Sequence, residues 1–319
     1  MRVFITGMGG ELGTRIASLL EGDPAVEAIV GVDLDPPRRR LSRAEFHLID
    51  PRDRVRTAEV VRSFEPTAMV HLGIYEPYAR SSPTSAIERT SSGTIVALGS
   101  AAEAGSLDRV VVRSGAEVYG RRRGAPRCPS EDTPPDPTSP FGHSLLYVER
   151  VAREMAYEIA APVSLLRFAP LVGPHSPSPL GRFLRLPVVP FSPMGDPPFS
   201  VLHQEDAAAA IIAALHNPFD GPVNVAGRGA VSASQAARLG ARVPLPVVGP
   251  WWRAARVATE LAGSPMPEHV HELLLRGRSV DGAAAGERLG IEPQFTTHEV
   301  IEQLYEWAEV DYLQVGKPA

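Results

Sequence analysis

The sequence predicts an α/β fold: a doubly wound parallel sheet with a smaller C-terminal substrate-binding region. Three observations carry that expectation. Short β runs alternate with helical runs through the first half, the rhythm of parallel βαβ units. A glycine-rich turn, Gly7 to Gly13, stands between the first strand and the first helix. After Phe168 the alternation stops and prolines crowd in at 170, 174, 177, 179, 187, 190, 193, 197 and 198, which predicts loops rather than more sheet.

Taken in order, Arg2–Thr6 reads as a strand, and Glu11–Leu20 as a helix with Ile16, Leu19 and Leu20 on one face. Ala28–Val32 is the second strand, Thr57–Phe64 a helix, Ala68–Leu72 a strand and Ser91–Ala104 a helix. Arg109–Ser114, Leu145–Ile159 and Val163–Phe168 continue as strand, helix and strand. Helices are expected again at Glu205–Leu215, Ser232–Leu239, Trp251–Leu261, Pro267–Arg276 and His298–Ala308. Residues 1–170 therefore form the nucleotide-binding domain, with a strand and helix returning from about 200–230, and residues 171–319 form mainly a substrate-binding or lid region.

Composition narrows the chemistry. The chain has 319 residues, 44% hydrophobic and 22% charged, enough for a core and ordinary for a globular protein. Lysine and arginine sum to 32, yet the one lysine is Lys317. That excludes a P-loop lysine, a Schiff base and a lysine general base anywhere inside the fold. A net charge of −5 gives no basic excess to recommend nucleic acid. The lone Cys128 makes no intramolecular disulfide and no cysteine zinc site, and no metal is expected. The N-terminus enters a strand at once, without a signal-peptide pattern, and no run of 18 apolar residues occurs, so no membrane contact and a cytoplasmic location are expected.

The turn reads Thr6-Gly7-Met8-Gly9-Gly10-Glu11-Leu12-Gly13. Gly7 allows a tight turn, Gly10 lets backbone approach a pyrophosphate, and Gly13 lets helix and strand pack closely, while the helix N-terminus offers N–H donors. Asp33 closes the second strand twenty residues past Gly13, where an acid bonds a ribose diol and repels a 2′-phosphate. That is a Rossmann-type dinucleotide site. Asp33 favours NAD, and Arg38-Arg39-Arg40 could fold onto the 2′-phosphate of NADP, so either cofactor is open.

Thr-Gly-x-x-Gly-x-x-Gly resembles the extended short-chain dehydrogenase/reductases, in their NAD-dependent nucleotide-sugar epimerase/dehydratase branch. The likeness continues through Asp50 in His-Leu-Ile-Asp-Pro-Arg-Asp, which resembles the family's adenine-contacting aspartate, and His71-Leu72-Gly73, the strand end along the cofactor. Ser114-Gly115-Ala116-Glu117-Val118-Tyr119-Gly120 resembles the strand bearing the catalytic serine, and Ser139-Pro140-Phe141-Gly142-His143-Ser144-Leu145 the segment bearing the catalytic tyrosine and lysine. The departures are specific. The serine position falls on Gly115, the tyrosine on Phe141 and the lysine on Leu145. Phenylalanine transfers no proton, and there is no second lysine to shift into register.

Candidate replacements are Ser114 for a substrate oxygen, and Tyr75, Tyr78 or His143 for the proton. Glu117, Tyr119 and His175 are nearby options, whereas His269 and His271, two apart on a helix, do not share a metal-binding face. Trp251-Trp252 are expected in core or lid packing. The expected substrate segment, 180–200, holds Arg182 and Arg185 but is otherwise apolar, which points to a hydrophobic small-molecule substrate. Degenerate family members include ketoreductases of secondary metabolism and antibiotic biosynthesis that reduce aromatic polyketides. The resemblance thus implies a reductase of unusual mechanism, its proton coming from a substrate hydroxyl, water or a non-family residue. A non-catalytic NAD(P)-binding sensor or partner subunit and a nucleotide-sugar epimerase/dehydratase are the alternatives. The family also implies a possible homodimer through the 91–104 and 145–159 helices.

Overall fold

The computed structural model describes residues 1–174 and 176–306. Its first half runs β1 (Arg2–Thr6), α1 (Glu11–Glu21), β2 (Ala28–Asp33), β3 (Glu45–Leu48), α2 (Arg54–Phe64), β4 (Ala68–His71), α3 (Pro83–Ala104), β5 (Arg109–Gly115), α4 (Pro140–Ile159) and β6 (Val163–Phe168). There follow α5 (Pro179–Leu184), β7 (Val188–Phe191), α6 (Gln204–His216), β8 (Gly221–Val225), α7 (Ala233–Leu239), β9 (Val243–Pro246), α8 (Trp251–Leu261), α9 (Glu268–Arg276), α10 (Ala283–Leu289) and α11 (Thr297–Tyr305).

Seven strands make one sheet in the order β3-β2-β1-β4-β5-β6-β8, with every pairing parallel. Helices α1, α6 and α10 pack on one side, and α2, α3 and α4 on the other. Because both faces are covered, the central strands are apolar throughout rather than alternating: Val3, Phe4 and Ile5 in β1 and Val110, Val111 and Val112 in β5 are all buried. Strand order reverses between β1 and β4, so the crevice at their carboxyl ends is the place for a ligand.

Several elements differ from expectation for identifiable reasons. Strand β3 carries the sequence EFHL on the sheet edge, half exposed, and offers no apolar run to read. Helices α3 and α4 begin earlier than expected, at Pro83 and Pro140, because Ser82 and Ser139 cap them and accept from the backbone N–H of Ser85 and Gly142. The proline-rich stretch after Phe168 is more than loop. It forms α5 and, with β9, a two-stranded parallel ribbon, where proline is tolerated because each strand leaves one edge unpaired. The last helix is closed by a capping box of Thr296 and Glu299 and ends at Tyr305; the remainder of the expected 298–308 helix lies outside the described residues.

The C-terminal region has its own core, in which Leu180, Phe183, Leu184, Val189 and Phe199 meet Trp252, Val270, Leu273 and Ile301. Among the described residues no helix is long and apolar enough to cross a membrane.

Candidate active site

The glycine turn is shaped by close backbone approach. Gly7 has φ +75°, open to glycine and costly for other residues, and its N–H donates to Val32 O. At Gly13 a Cβ would lie 2.1 Å from Gly7 O and 2.7 Å from Met8 Cα, so no side chain fits without moving the turn. The turn opens onto a cleft of about 330 Å³ walled by Gly10, Glu11, Leu12, Asp33, Leu72 and Gly73, among others. Met8 does not face it. Its side chain is fully buried against Gly31 and belongs to the core.

Asp33 lies at the cleft's edge, 8% exposed. Burial raises its carboxyl above the ordinary range, opposed by hydrogen bonds from the backbone N–H groups of Leu34 and Gly9 and from the Tyr75 hydroxyl. Asp33 thus braces the turn as well as facing the cleft. Tyr75 lines the cleft at this end: its hydroxyl donates to Asp33 Oδ1 over 3.3 Å, and burial drives its pKa well up. His71, behind Leu72, is buried and held down to about 4 by desolvation. Thr94 donates its own proton to Thr90 O, so His71 Nε2 must donate to Thr94 and His71 Nδ1 accept from Thr6.

Besides Met8, three expected cofactor residues stand apart from the cleft wall: Gly9, packed so closely on Asp35 that a Cβ would lie 1.8 Å from its carbonyl oxygen, Asp50 and Arg38. Asp50 is clasped by Arg52 through contacts of 3.0 and 2.8 Å, which hold its carboxyl down to about 2. Arg38 borders a neighbouring hollow with Arg39, Arg80 and Glu11, and its backbone N–H is bonded to Thr14.

Gly115, Phe141 and Leu145 converge at the ends of β5 and α4 around a second cavity of about 30 Å³, room for roughly one water-sized group. It adjoins the cleft, with Glu76, Arg113 and Leu171 lining both. Phe141 and Leu145 form its apolar wall. Beside it the lining is charged. His269, from α9, stacks on Phe141 with ring centroids 4.8 Å apart and lies 3.0 Å through Nε2 from Glu76 Oε1. Glu117, also lining the cavity, pairs with the buried Arg278 at 3.4 Å, and Arg278 reaches Glu272 at 3.3 Å.

The expected catalytic side chains are not gathered here. Ser114 reaches the cavity, but its hydroxyl donates to Glu149 Oε1 at 2.7 Å and is held there. Glu149 in turn takes a bidentate contact from Arg167, 2.8 and 2.7 Å, both side chains fully buried. Tyr119 joins that network, accepting from Arg167 and donating to Asn224. His143 faces solvent on α4, its Nδ1 against Ser139 O. Tyr78 lies in the β4–α3 loop with φ +62°, its carbonyl bonded by Arg182. His175 lies outside the described residues. Trp252 is core, edge-on to His271, and Trp251 is exposed.

The 180–200 segment also serves a different purpose. Its apolar side chains build the C-terminal core, with Leu180 also reaching the small cavity, and Arg182 and Arg185 bond backbone carbonyls. Its apolar character therefore reflects packing and says nothing of the substrate.

A strand, the glycine turn, a helix and an acid at the end of the second strand stand here in one parallel sheet, and the model of the NAD dependent epimerase/dehydratase family matches residues 3–226. The chain belongs to that family. One relative is the uncharacterized protein Rv0501 of Mycobacterium tuberculosis, 30% identical over 95% of this chain and 83% of that protein. Among solved structures, UDP-glucose 4-epimerase of Thermotoga maritima with UDP-glucose superposes with a TM-score of 0.75 at 19% identity, covering 96% of this chain and 98% of that one. The dTDP-glucose 4,6-dehydratase of Bacillus anthracis in complex with NAD gives 0.73 at 17% identity, covering 98% and 97%. These two show the shared fold.

For a member of this epimerase/dehydratase family the cofactor is NAD, the first of the two expected from the sequence. The residues present fit it. The glycine turn offers a cradle that a Cβ would fill, Asp33 presents a carboxylate for a ribose diol, and Arg80 and Arg89 put cations on the cleft wall. Sequence reasoning missed Glu76 and His269. They are 193 positions apart, and only the packing of α9 against the start of α4 joins them.

Proposed function

We propose that this chain is an NAD-dependent oxidoreductase that moves a hydride between the cofactor and an alcohol or ketone carbon, with Glu76 and His269 handling the proton. The observation that carries this reading is the part-buried Glu76–His269 pair, placed on the cavity where Gly115, Phe141 and Leu145 meet. In the resemblance those three positions belong to a serine, a tyrosine and a lysine.

Bound NAD supplies or accepts the hydride. The chain must seat the carbonyl and supply a proton. In the reducing direction the carbonyl oxygen takes one proton from the Glu76–His269 pair as its carbon gains the hydride. The pair is left one proton short and recovers it from water; oxidation reverses each transfer. A histidine hydrogen-bonded to a carboxylate can pass a proton to an oxygen and take it back. The apolar wall of Phe141 and Leu145 keeps water from competing.

A ketone on an aromatic, polyketide-like substrate and a nucleotide sugar are the two substrate classes to try. The test monitors NADH formation or loss with purified protein and panels of both classes. Turnover of one class is expected, with His269→Asn and Glu76→Gln lowering kcat about 10²- to 10⁴-fold and flattening one limb of the pH profile, NAD affinity unchanged. Tight NAD binding with no turnover of any compound would replace this reading with a non-catalytic one.

A further inference from the structure

We infer that Arg113 is an anion-binding residue at the mouth of the small cavity, and that the substrate carries a carboxylate or similar oxyanion close to its reacting carbon. The inference rests on reading the cleft and cavity as an NAD-dependent redox site. It starts from charge pairing. Around the cavity Glu76 is paired with His269, and Glu117 and Glu272 with Arg278. Arg113 is left over. Among the described residues its guanidinium has no ion pair, and its buried Nε has no hydrogen-bond partner.

The placement is a consequence of strand geometry. Side chains alternate along β5, so Ser114 turns toward Glu149 while Arg113 projects to the other side. There Arg113 lines both the cleft and the small cavity. Burial pulls its guanidinium below the usual arginine range, with Glu76 and Glu117 opposing at longer distance, so the charge is kept at a cost that no contact offsets. A planar fork of donors is matched by a carboxylate, which can take two parallel bonds.

The other anion available is the cofactor's pyrophosphate. That group belongs at the glycine turn at the end of β1, and β4 lies between β1 and β5. Two strand spacings, ~10 Å, therefore separate the Arg113 backbone from the turn. Besides its place on the cleft wall, Arg113 lines the small cavity with Gly115, Phe141, Glu76 and His269, where the substrate's reacting carbon is placed by the proposed function.

The test titrates acetate, malonate and inorganic phosphate into apo and NAD-saturated protein by calorimetry, for the wild type, Arg113→Gln and Arg113→Met. Expected are carboxylate binding to the NAD-saturated wild type, at least tenfold weaker binding in both variants, and NAD affinity changed less than about threefold. Melting of Arg113→Met without ligand should be no lower than wild type, because the guanidinium has no partner to lose. Equal carboxylate binding by wild type and variants, or none by the wild type, overturns the inference. So does a variant that loses NAD tenfold while NAD displaces the anions, since Arg113 would then serve the cofactor's phosphates, and so does a markedly lower melting temperature of Arg113→Met. Carboxylate binding that depends on Arg113 in a protein that does not bind NAD would leave the anion site standing and overturn the proposed function instead.

Discussion

The glycine turn and the small cavity lie two strands apart in one sheet, yet they are built from different material. The turn is made of backbone: residues 7–13 and Asp33, brought together by one βαβ unit, with almost no side-chain chemistry beyond one carboxylate. The cavity is made of side chains from positions 76, 113, 117, 141, 145 and 269, and its charged groups other than Arg113 are held in pairs. A cofactor shared across a family can be held by main chain and glycine, which leaves little to vary. Chemistry specific to one substrate needs side chains, and those can be exchanged while the sheet stays the same.

The sharpest break of that contrast is beneath the cavity. Glu149→Ala strips the fully buried Arg167 of its bidentate partner and Ser114 of its acceptor. Leaving an uncompensated buried charge costs about 3–5 kcal/mol, so the melting temperature should fall steeply while NAD affinity of the folded fraction holds. Denaturant unfolding and NAD titration at low temperature measure both. A small stability loss would mean that the network is dispensable packing.

Next in size is Gly13→Val. The added side chain meets Gly7 O and Met8 Cα, both backbone, so the turn itself must shift. The expected loss of NAD affinity is ~100-fold or more, since ~3 kcal/mol is the upper range for crowding that side chains can relieve. Unchanged affinity would show that the turn tolerates distortion and that the backbone account is wrong. Asp33→Ala is expected to be milder, weakening NAD more than about tenfold, from the ~1.5–3 kcal/mol of a hydrogen bond to a charged group. Here calorimetry should also find less ordered binding, because Gly9 and Tyr75 lose the carboxylate that braces them. If affinity is unchanged, Asp33 is only a brace.

Much of the fold was readable because parallel strands buried on both faces leave apolar runs, as in β1, β4 and β5, and because Gly7, Gly10 and Gly13 keep their spacing wherever the turn occurs. Strand β3 was not readable, since an exposed edge imposes no pattern. Tyr75 illustrates a different point. Its place in the loop after β4 was correct, but whether the hydroxyl would turn toward Asp33 or toward the reaction depended on a rotamer that no neighbour in sequence sets. The apolar 180–200 segment failed for a third reason: hydrophobicity marks burial, and burial in a core and burial against a ligand look alike in one dimension.

The sequence by itself determined the βαβ order, the glycine turn, Asp33 at its rim, and the identity of the residues at 115, 141 and 145, because these are local patterns or plain inventory. Only the tertiary structure decided which charges stand over them. His269 reaches Glu76 because α9 of the C-terminal region packs against the start of α4, and Arg113 is left unpaired because Glu117 turns to Arg278 instead. Such pairings come from the meeting of distant segments in a low-dielectric interior, where each charge takes the partner that packing brings within reach.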